Sequence, residues 1–257
     1  MLAPTTPIPH GPDDLDDGGV RHRLGLIALS TDIATERDFH RMLPDATVMF
    51  HTARVVQVNP TTPDNLRKMA PLLGQAAATL AEGQHLDVVA YSCTSASVVL
   101  GNDVVAEKIR EGRPGVAVVT PIGAALAAFQ FLGIRRISLL TPYMDVVTRP
   151  VADYIQAQGY PVLSVASFGI ADDITMARLS PAAIREAARR HCHPQADALF
   201  ISCTAIRAAE TVAALEADLG KPVLTSIQCL FWAALRAAGY GGEVAGYGRL
   251  LRDEALV

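Results

Sequence analysis

Two cysteines sit in the same three-residue setting. Ser-Cys-Thr occurs at 92–94 and again at 202–204, so Cys93 and Cys203 stand 110 residues apart. The likeness extends around them: LDVVAYSCTSA (86–96) aligns with ADALFISCTAI (196–206), and Asp87 and Asp197 each precede their cysteine by six residues. Each motif ends an apolar, β-rich run and opens a helical one. In parallel sheets ligands sit outside the carboxyl ends of the strands. Two such ends related by a pseudo-two-fold would place Cys93 and Cys203 on opposite sides of one small ligand. A cysteine at a strand-to-helix turn meets free N–H groups and a helix dipole, which lower a thiol pKa from about 8.5. Thr94 and Thr204 add hydroxyls and N–H groups suited to a carboxylate, or to the oxyanion of a delocalised carbanion. A facing thiolate and thiol can racemise a carbon next to a carboxylate. Alternatively, one thiolate adds to an activated double bond, and rotation and elimination give cis–trans isomerisation. The plain alternative is a pair of inert core cysteines; the repetition of the whole motif argues against it.

The repeat runs beyond the cysteines. LIALSTD (26–32) lies over ISLLTPY (137–143) at an offset of 111, which pairs Asp32 with Tyr143. VAVVTPIGAALAAFQFLG (116–133) resembles PVLTSIQCLFWAALRAAG (222–239). Two homologous halves are therefore expected. The other cysteines read differently. Cys192, in His191-Cys192-His193, lies on a helix end where adjacent side chains converge poorly on a metal. Cys229 lies in an apolar helix and reads as core. No metal is expected, and His40, His51 and His85 have no partner motif.

The elements that must carry these residues alternate. Strands are expected at 23–29, 47–55, 86–92, 116–120, 136–140, 161–167, 198–202 and 222–225. Helices are expected near 34–43, 63–82, 96–111, 122–132, 145–158, 181–191, 205–219 and 227–238. Continuous apolar runs such as VAVV, ISLL and ALFIS suit parallel strands buried on both faces. Thr62-Pro63 and Ser180-Pro181 read as N-caps with Pro in the first turn. Gly112, Gly133, Gly159, Gly220 and Gly239 read as helix ends. The fold class is α/β.

The 257 residues carry 22 Lys+Arg, 26 Asp+Glu and a net charge of −4; 50% are hydrophobic, 19% charged and 5% aromatic. That composition supports a large core and excludes a mainly disordered chain. The acidic balance and few aromatics argue against nucleic-acid binding. No C-x-x-C occurs and four cysteines make no disulfide framework. The N-terminal Pro/Asp/Gly-rich stretch has neither a basic nor an apolar region, so it is not a signal peptide. The apolar run from 115 to 133 is broken at Thr120-Pro121 and reads as core, not membrane. A cytoplasmic protein is expected.

With these motifs in view the chain resembles the aspartate/glutamate racemase superfamily, in its maleate isomerase and arylmalonate decarboxylase branch. The resemblance covers about 23–253 and rests on GLIALSTDIATERDF (25–39), AYSCTSAS (90–97), RRISLLTPYMDVV (135–147), FISCTA (200–205) and GYGRLL (246–251). Within the branch it looks most like the maleate isomerase-like proteins of ectoine utilisation. The resemblance implies two pseudo-symmetric Rossmann-like lobes with the active site in the cleft between them, no cofactor, and a last segment that returns to the first lobe. The organisation expected is a disordered tail at 1–20, a first lobe of 21–120 plus 225–257, and a second of 121–224.

Carried over, Cys93 and Cys203 are the catalytic pair, and Tyr143 matches a tyrosine that bonds a substrate carboxylate. Thr94, Ser95, Thr204, Asp32 and Asp173 are the further expected substrate contacts. Arylmalonate decarboxylases have Gly-Thr-Ser where this chain has Cys93-Thr94-Ser95, which favours an isomerase or racemase. Maleate isomerases carry asparagines at the places of Asp32 and near Asp173. An ionised aspartate only accepts hydrogen bonds, so an amino acid suits the pocket better than a dicarboxylate, unless these aspartates point away or Asp32 orients Cys93. The expected activity is a cofactor-independent isomerase or racemase of a small carboxylate, an amino acid or a dicarboxylate, in a homo-oligomer. The alternatives are a decarboxylase of a malonate-like acid and an inactive binding protein of the same fold.

Overall fold

A computed structural model of the chain describes residues 5–252. Its apolar runs form the strands their composition predicts. In the first half, β1 (His22–Leu29), β2 (Val48–Val55), β3 (Val88–Tyr91) and β4 (Ala117–Val119) make a parallel sheet of order β2-β1-β3-β4. In the second, β5 (Ile137–Tyr143), β6 (Val162–Ile170), β7 (Ala198–Ile201) and β8 (Val223–Thr225) repeat it as β6-β5-β7-β8. Each strand has its expected counterpart, so the two-lobed α/β fold stands. Both faces of β1 are apolar: Leu24, Leu26 and Ala28 join one core, Ile27 and Leu29 another, as a buried parallel strand requires.

The helices are α1 (Thr35–Met42), α2 (Pro63–Arg67), α3 (Leu73–Ala78), α4 (Thr94–Leu100), α5 (Asn102–Gly112), α6 (Pro121–Phe131), α7 (Asp145–Ala157), α8 (Asp173–Met176), α9 (Pro181–His191), α10 (Val212–Leu219) and α11 (Ser226–Ala237). The Thr62 and Ser180 hydroxyls accept from the N–H groups of Asn65 and Ala183, as read from sequence. Three expected helices come out differently. The segment 63–82 splits around a 3-10 turn at 70–72, where Pro71 lacks the N–H an α-helix would use. The segment 96–111 splits at Gly101, whose φ of +88° ends one helix and starts the next. The segment 205–219 becomes helical only from Ala209, first as a 3-10 turn. Gly112 does end a helix, as the last residue of α5 and not the one after it: α3 crosses there, and a Cβ would lie 1.9 Å from the Gly74 carbonyl oxygen.

The lobes share their main core. α6 follows the first sheet but Phe129 stacks edge-on against Phe200 of β7. α11 follows the second sheet, and its Phe231 stacks against Phe39 of α1. The apolar run 115–133 is thus β4 plus α6, and no helix among the described residues is long and apolar enough to cross a membrane. Residues 5–21 hold only a 3-10 turn at 12–14; residues 1–4 of the expected tail and 253–257 of the expected first lobe lie outside the described residues. GYGRLL is a clasp. The Glu216 carboxylate of α10 accepts from the Arg249 N–H at 3.0 Å and from the Val223 N–H at 3.2 Å.

Gly248 sits against α10 with φ +79°, and an added Cβ would lie 2.4 Å from Val212 Cγ1. Gly248→Ala should therefore cost about 2–4 kcal/mol, from overpacking and left-handed strain together. Urea denaturation measures this; an unchanged midpoint would show that the tail does not bear on α10.

Candidate active site

The equivalent inner strands β3 and β7 deliver the two cysteines. Ser92 N–H extends the first ladder to the Ile27 carbonyl at 2.8 Å, and Ser202 N–H extends the second to Leu140 at 2.9 Å. Cys93 and Cys203 follow directly, only 5% and 4% exposed. Each lies within electrostatic reach of the other and of Asp173. Their surroundings differ. Cys93 is the N-cap of α4, with the Ala96 N–H and the Ser95 hydroxyl, 3.6 Å from Sγ, about its sulfur. Cys203 has φ +134°, a conformation that costs a non-glycine residue on the order of 1–3 kcal/mol. Its N–H donates to Ser226 Oγ at 3.0 Å, and the Tyr143 hydroxyl and Ala205 N–H lie near its sulfur, each acting to lower its pKa.

The helix expected straight after Cys203 is absent, because 204–208 is irregular. The expected lowering of the thiol pKa is also reversed. Burial, reinforced by the Asp173 carboxylate, pushes Cys93 up to about 12 and Cys203 well above its ordinary value. A dry enclosure next to a carboxylate outweighs the few N–H groups that turn toward the sulfurs.

Asp173 is 4% exposed. It belongs to the second half, but its oxygens accept from first-half hydroxyls: Thr31 at 2.9 Å and Thr61 at 3.2 Å. Burial raises its pKa, and the two hydroxyls oppose that. Asp32 is equally buried, yet it serves α1: its carboxylate accepts from the N–H groups of Ala34 and Thr35 at 2.8 and 2.9 Å and from the Thr35 hydroxyl. It does the work of an N-cap two residues ahead of the Ala34 position. The pairing of Asp32 with Tyr143 also needs correction. Leu24 faces Val88, and Ile137 faces Ala198. While the cysteine strands repeat at 110, β1 therefore repeats in β5 at 113, and Asp32 corresponds to Asp145 at the start of α7.

The structure brings Cys93, Cys203, Ser95, Tyr143 and Asp173 together. The Thr204 hydroxyl turns across the seam to the Ser92 carbonyl at 3.0 Å. The Thr94 hydroxyl is buried with no hydrogen-bond partner among the described residues. Sequence reading missed Thr31, Thr61, Tyr91 and Thr35. Buried Tyr91 neighbours Cys93. The Thr35 hydroxyl, fully buried, donates to Asp32, lies 2.9 Å from Ser92 Oγ, and reaches the Thr204 carbonyl at 3.4 Å. It thus touches a residue of each Ser-Cys-Thr motif. The one signal was the D-x-x-T spacing at 32–35, a local capping pattern.

Two predictions follow from this geometry. Without ligand, Cys93 and Cys203 should resist iodoacetamide at pH 7–8 and gain reactivity only as pH rises toward 12, while half-buried Cys192 is alkylated first. Mass-spectrometric mapping against pH checks this; fast labelling of either site cysteine at pH 7 would contradict the closed enclosure. Thr35→Val should remove the bridge between the motifs, cost about 1–3 kcal/mol by stranding Asp32 and Ser92, and lower turnover, with Thr35→Ser restoring both. Unchanged turnover in the folded valine variant would reduce Thr35 to packing.

A family model of arylmalonate decarboxylase matches residues 24–251. A maleate isomerase of Nocardia farcinica is 27% identical over 250 residues, covering 93% of this chain and 98% of that one. The solved structure of a maleate isomerase from Pseudomonas putida S16 with maleate superposes with a TM-score of 0.85 at 25% identity, over 92% of this chain and 99% of that one. A cysteine-to-serine mutant of the Nocardia farcinica maleate cis-trans isomerase, solved with a covalently bound succinylcysteine intermediate, superposes with a TM-score of 0.82 at 25% identity, over 91% and 99% of the chains.

Proposed function

The chain belongs to the arylmalonate decarboxylase family and is an isomerase of its maleate isomerase branch, and we propose that it acts on a small carboxylate through Cys93 and Cys203. The observation that carries this reading is the pair of thiols on equivalent strand ends, buried in one enclosure with the Asp173 carboxylate. The Nocardia structure with a succinylcysteine supports a covalent route. In that route one thiolate adds to an activated double bond. The S–C bond forms as the π pair moves onto the carbon beside the carboxylate and into its oxygens, and the opposite thiol delivers a proton there. Rotation about the new single bond, return of that proton and cleavage of S–C regenerate the double bond in the other geometry. In the racemisation variant, one thiolate removes the Cα proton and the other thiol supplies one on the opposite face.

Roles divide between the cysteines by their surroundings. Cys93 heads α4 and is the adding thiolate. Cys203, from which no helix starts and whose thiol burial pushes well above its ordinary pKa, is the proton donor. The free Thr94 hydroxyl and nearby N–H groups donate to the carboxylate as negative charge builds on it. Burial is the largest cause of the raised thiol pKa values, so a thiolate forms as the enclosure opens to admit substrate. Asp32 is spent on α1, so Asp173 is the one that reads substrate charge. Facing it, a second carboxylate is repelled and an ammonium or neutral group is favoured. The motifs add a place in ectoine breakdown to this reading. Decarboxylation of a malonate-like acid is the second reading, carried by the family match; it needs one proton donor, not a thiol on each strand end.

Proton NMR of amino acids and unsaturated or malonate-like acids in D₂O separates the outcomes: deuterium at Cα, geometric isomerisation, or loss of CO₂. Cys93→Ser and Cys203→Ser should each lower turnover about 10²–10⁴-fold with the fold intact, and Cys203→Ser should accumulate a substrate adduct on Cys93. Near-full activity in either variant, or exclusive CO₂ loss, would sink the two-thiol isomerase.

A further inference from the structure

The thiols are closed off, and the segments that close them share an outer face. Residues 31–34 follow β1 and carry Asp32. The end of α8 follows Asp173. Residues 204–208 follow Cys203. All three, with α1, wall a cavity of about 510 Å³ lined by Ile33, Ala34, Arg37, Arg41, Arg178 and Arg207. A volume of that size holds a small molecule. Four guanidinium groups line it. The acidic groups facing them are Glu210, which pairs with Arg37 at 2.9 Å and Arg41 at 3.1 Å, and Asp38, 3.8 Å from Arg37. Arg178 is exposed and enters no ion pair among the described residues. Arg37 Nη1 and Arg207 Nε are buried without a hydrogen-bond acceptor. A buried guanidinium N–H without an acceptor is costly, and a carboxylate offers the planar pair of oxygens such a group takes.

We propose that this cavity is an outer anion site, which collects the carboxylate substrate before the seam opens and passes it to the thiols. The collecting role rests on the function proposed above; the anion site does not. It needs no residue of the thiol enclosure, because its cations stand on α1 and on the outer lining of the covering segments. Opening those segments would join the two spaces, so a carboxylate held by Arg178 already waits at the seam between Ile33 and the end of α8. The same chemistry could serve free inorganic phosphate, and the test separates the two.

Binding calorimetry at low ionic strength on the full chain uses two probes, succinate, which has no double bond to react, and inorganic phosphate. Wild type and the Cys93→Ser/Cys203→Ser chain should bind succinate equally. The Arg41→Gln/Arg178→Gln chain, checked for fold by circular dichroism, should bind it at least about tenfold more weakly. Equal binding by the arginine variant, or loss in the cysteine variant, overturns the outer site. Phosphate binding tenfold tighter than succinate overturns the collecting role. For any carboxylate the wild type isomerises, kcat/KM should fall about tenfold in the arginine variant at unchanged kcat, and should fall with added salt in the wild type. An unchanged kcat/KM also overturns the collecting role. The calorimetry decides the site even if no carboxylate turns over, which would instead sink the isomerase reading.

Discussion

Asp173 belongs to the second lobe, yet its two oxygens accept from Thr31 and Thr61 of the first. The rest of the site depends on that buried crossing. It closes the seam on one side, as Thr204 does from Cys203's own loop by reaching the Ser92 carbonyl. Closing the seam dries the thiols, and drying them keeps them protonated. A buried carboxylate next to two thiols also penalises any further negative charge. The resting enclosure is therefore set against premature ionisation, and chemistry has to be tied to opening. The hydroxyl bonds at the seam suit that. Each is worth on the order of 1 kcal/mol net, so a ligand with a few good contacts can replace them.

The shared core limits how the lobes can move. α6 and α11 pack across the halves, and one apolar cluster runs from β1 through both helices to the second sheet. Whole-lobe separation would expose that cluster. Movement of short covering segments, such as 31–34 and the four-residue α8, would uncover far less, since Met176 of α8 is their one member of that cluster. Ile33 and Ile174 on those segments are already exposed, so displacing the segments strips only Ala34 and Met176 from the buried apolar residues.

Much of this was legible in the sequence, for identifiable reasons. Parallel strands buried on both faces announce themselves as apolar runs, so all eight could be placed. The paired Asp87 and Asp197 mark equivalent joins: each accepts from a backbone N–H at the start of the neighbouring strand, Arg23 or Arg136. The cysteines were legible because their motif repeats whole. What stayed hidden depends on the meeting of segments distant in sequence. Thr35 reads as an ordinary first-turn threonine, and nothing local says that it touches both cysteine loops. The offset of 113 was hidden because the alignment at 111 differs from it by two residues, a shift that keeps side chains on the same face of a strand and leaves the alignment equally apolar. The thiol pKa was misjudged because the N–H groups are local, whereas the burial that overrides them is not.

Pseudo-symmetry creates a chemical problem that the structure resolves by breaking it. A reaction that adds on one side and protonates on the other needs one group ionised and its partner not. Identical surroundings would give two thiols of identical acidity. Duplication supplies the opposed positions, and local differences then separate the roles. Cys93 heads a regular helix with Ser95 beside it; Cys203 sits on a strained backbone pinned by Ser226, with Tyr143 nearby. The strain at Cys203 is held by β7 on one side and the Ser226 contact on the other, so the sulfur's direction is fixed before substrate arrives. Each cysteine has its own tyrosine, and the two come from different strands: Tyr143 of β5 corresponds at an offset of 113 to Ser30, whose hydroxyl serves the Gln57 N–H, while Tyr91 of β3, beside Cys93 and 3.6 Å from the Met69 sulfur, corresponds to Ile201 in the second half. Different hydroxyls placed around a repeated motif are enough to make two like cysteines chemically unlike.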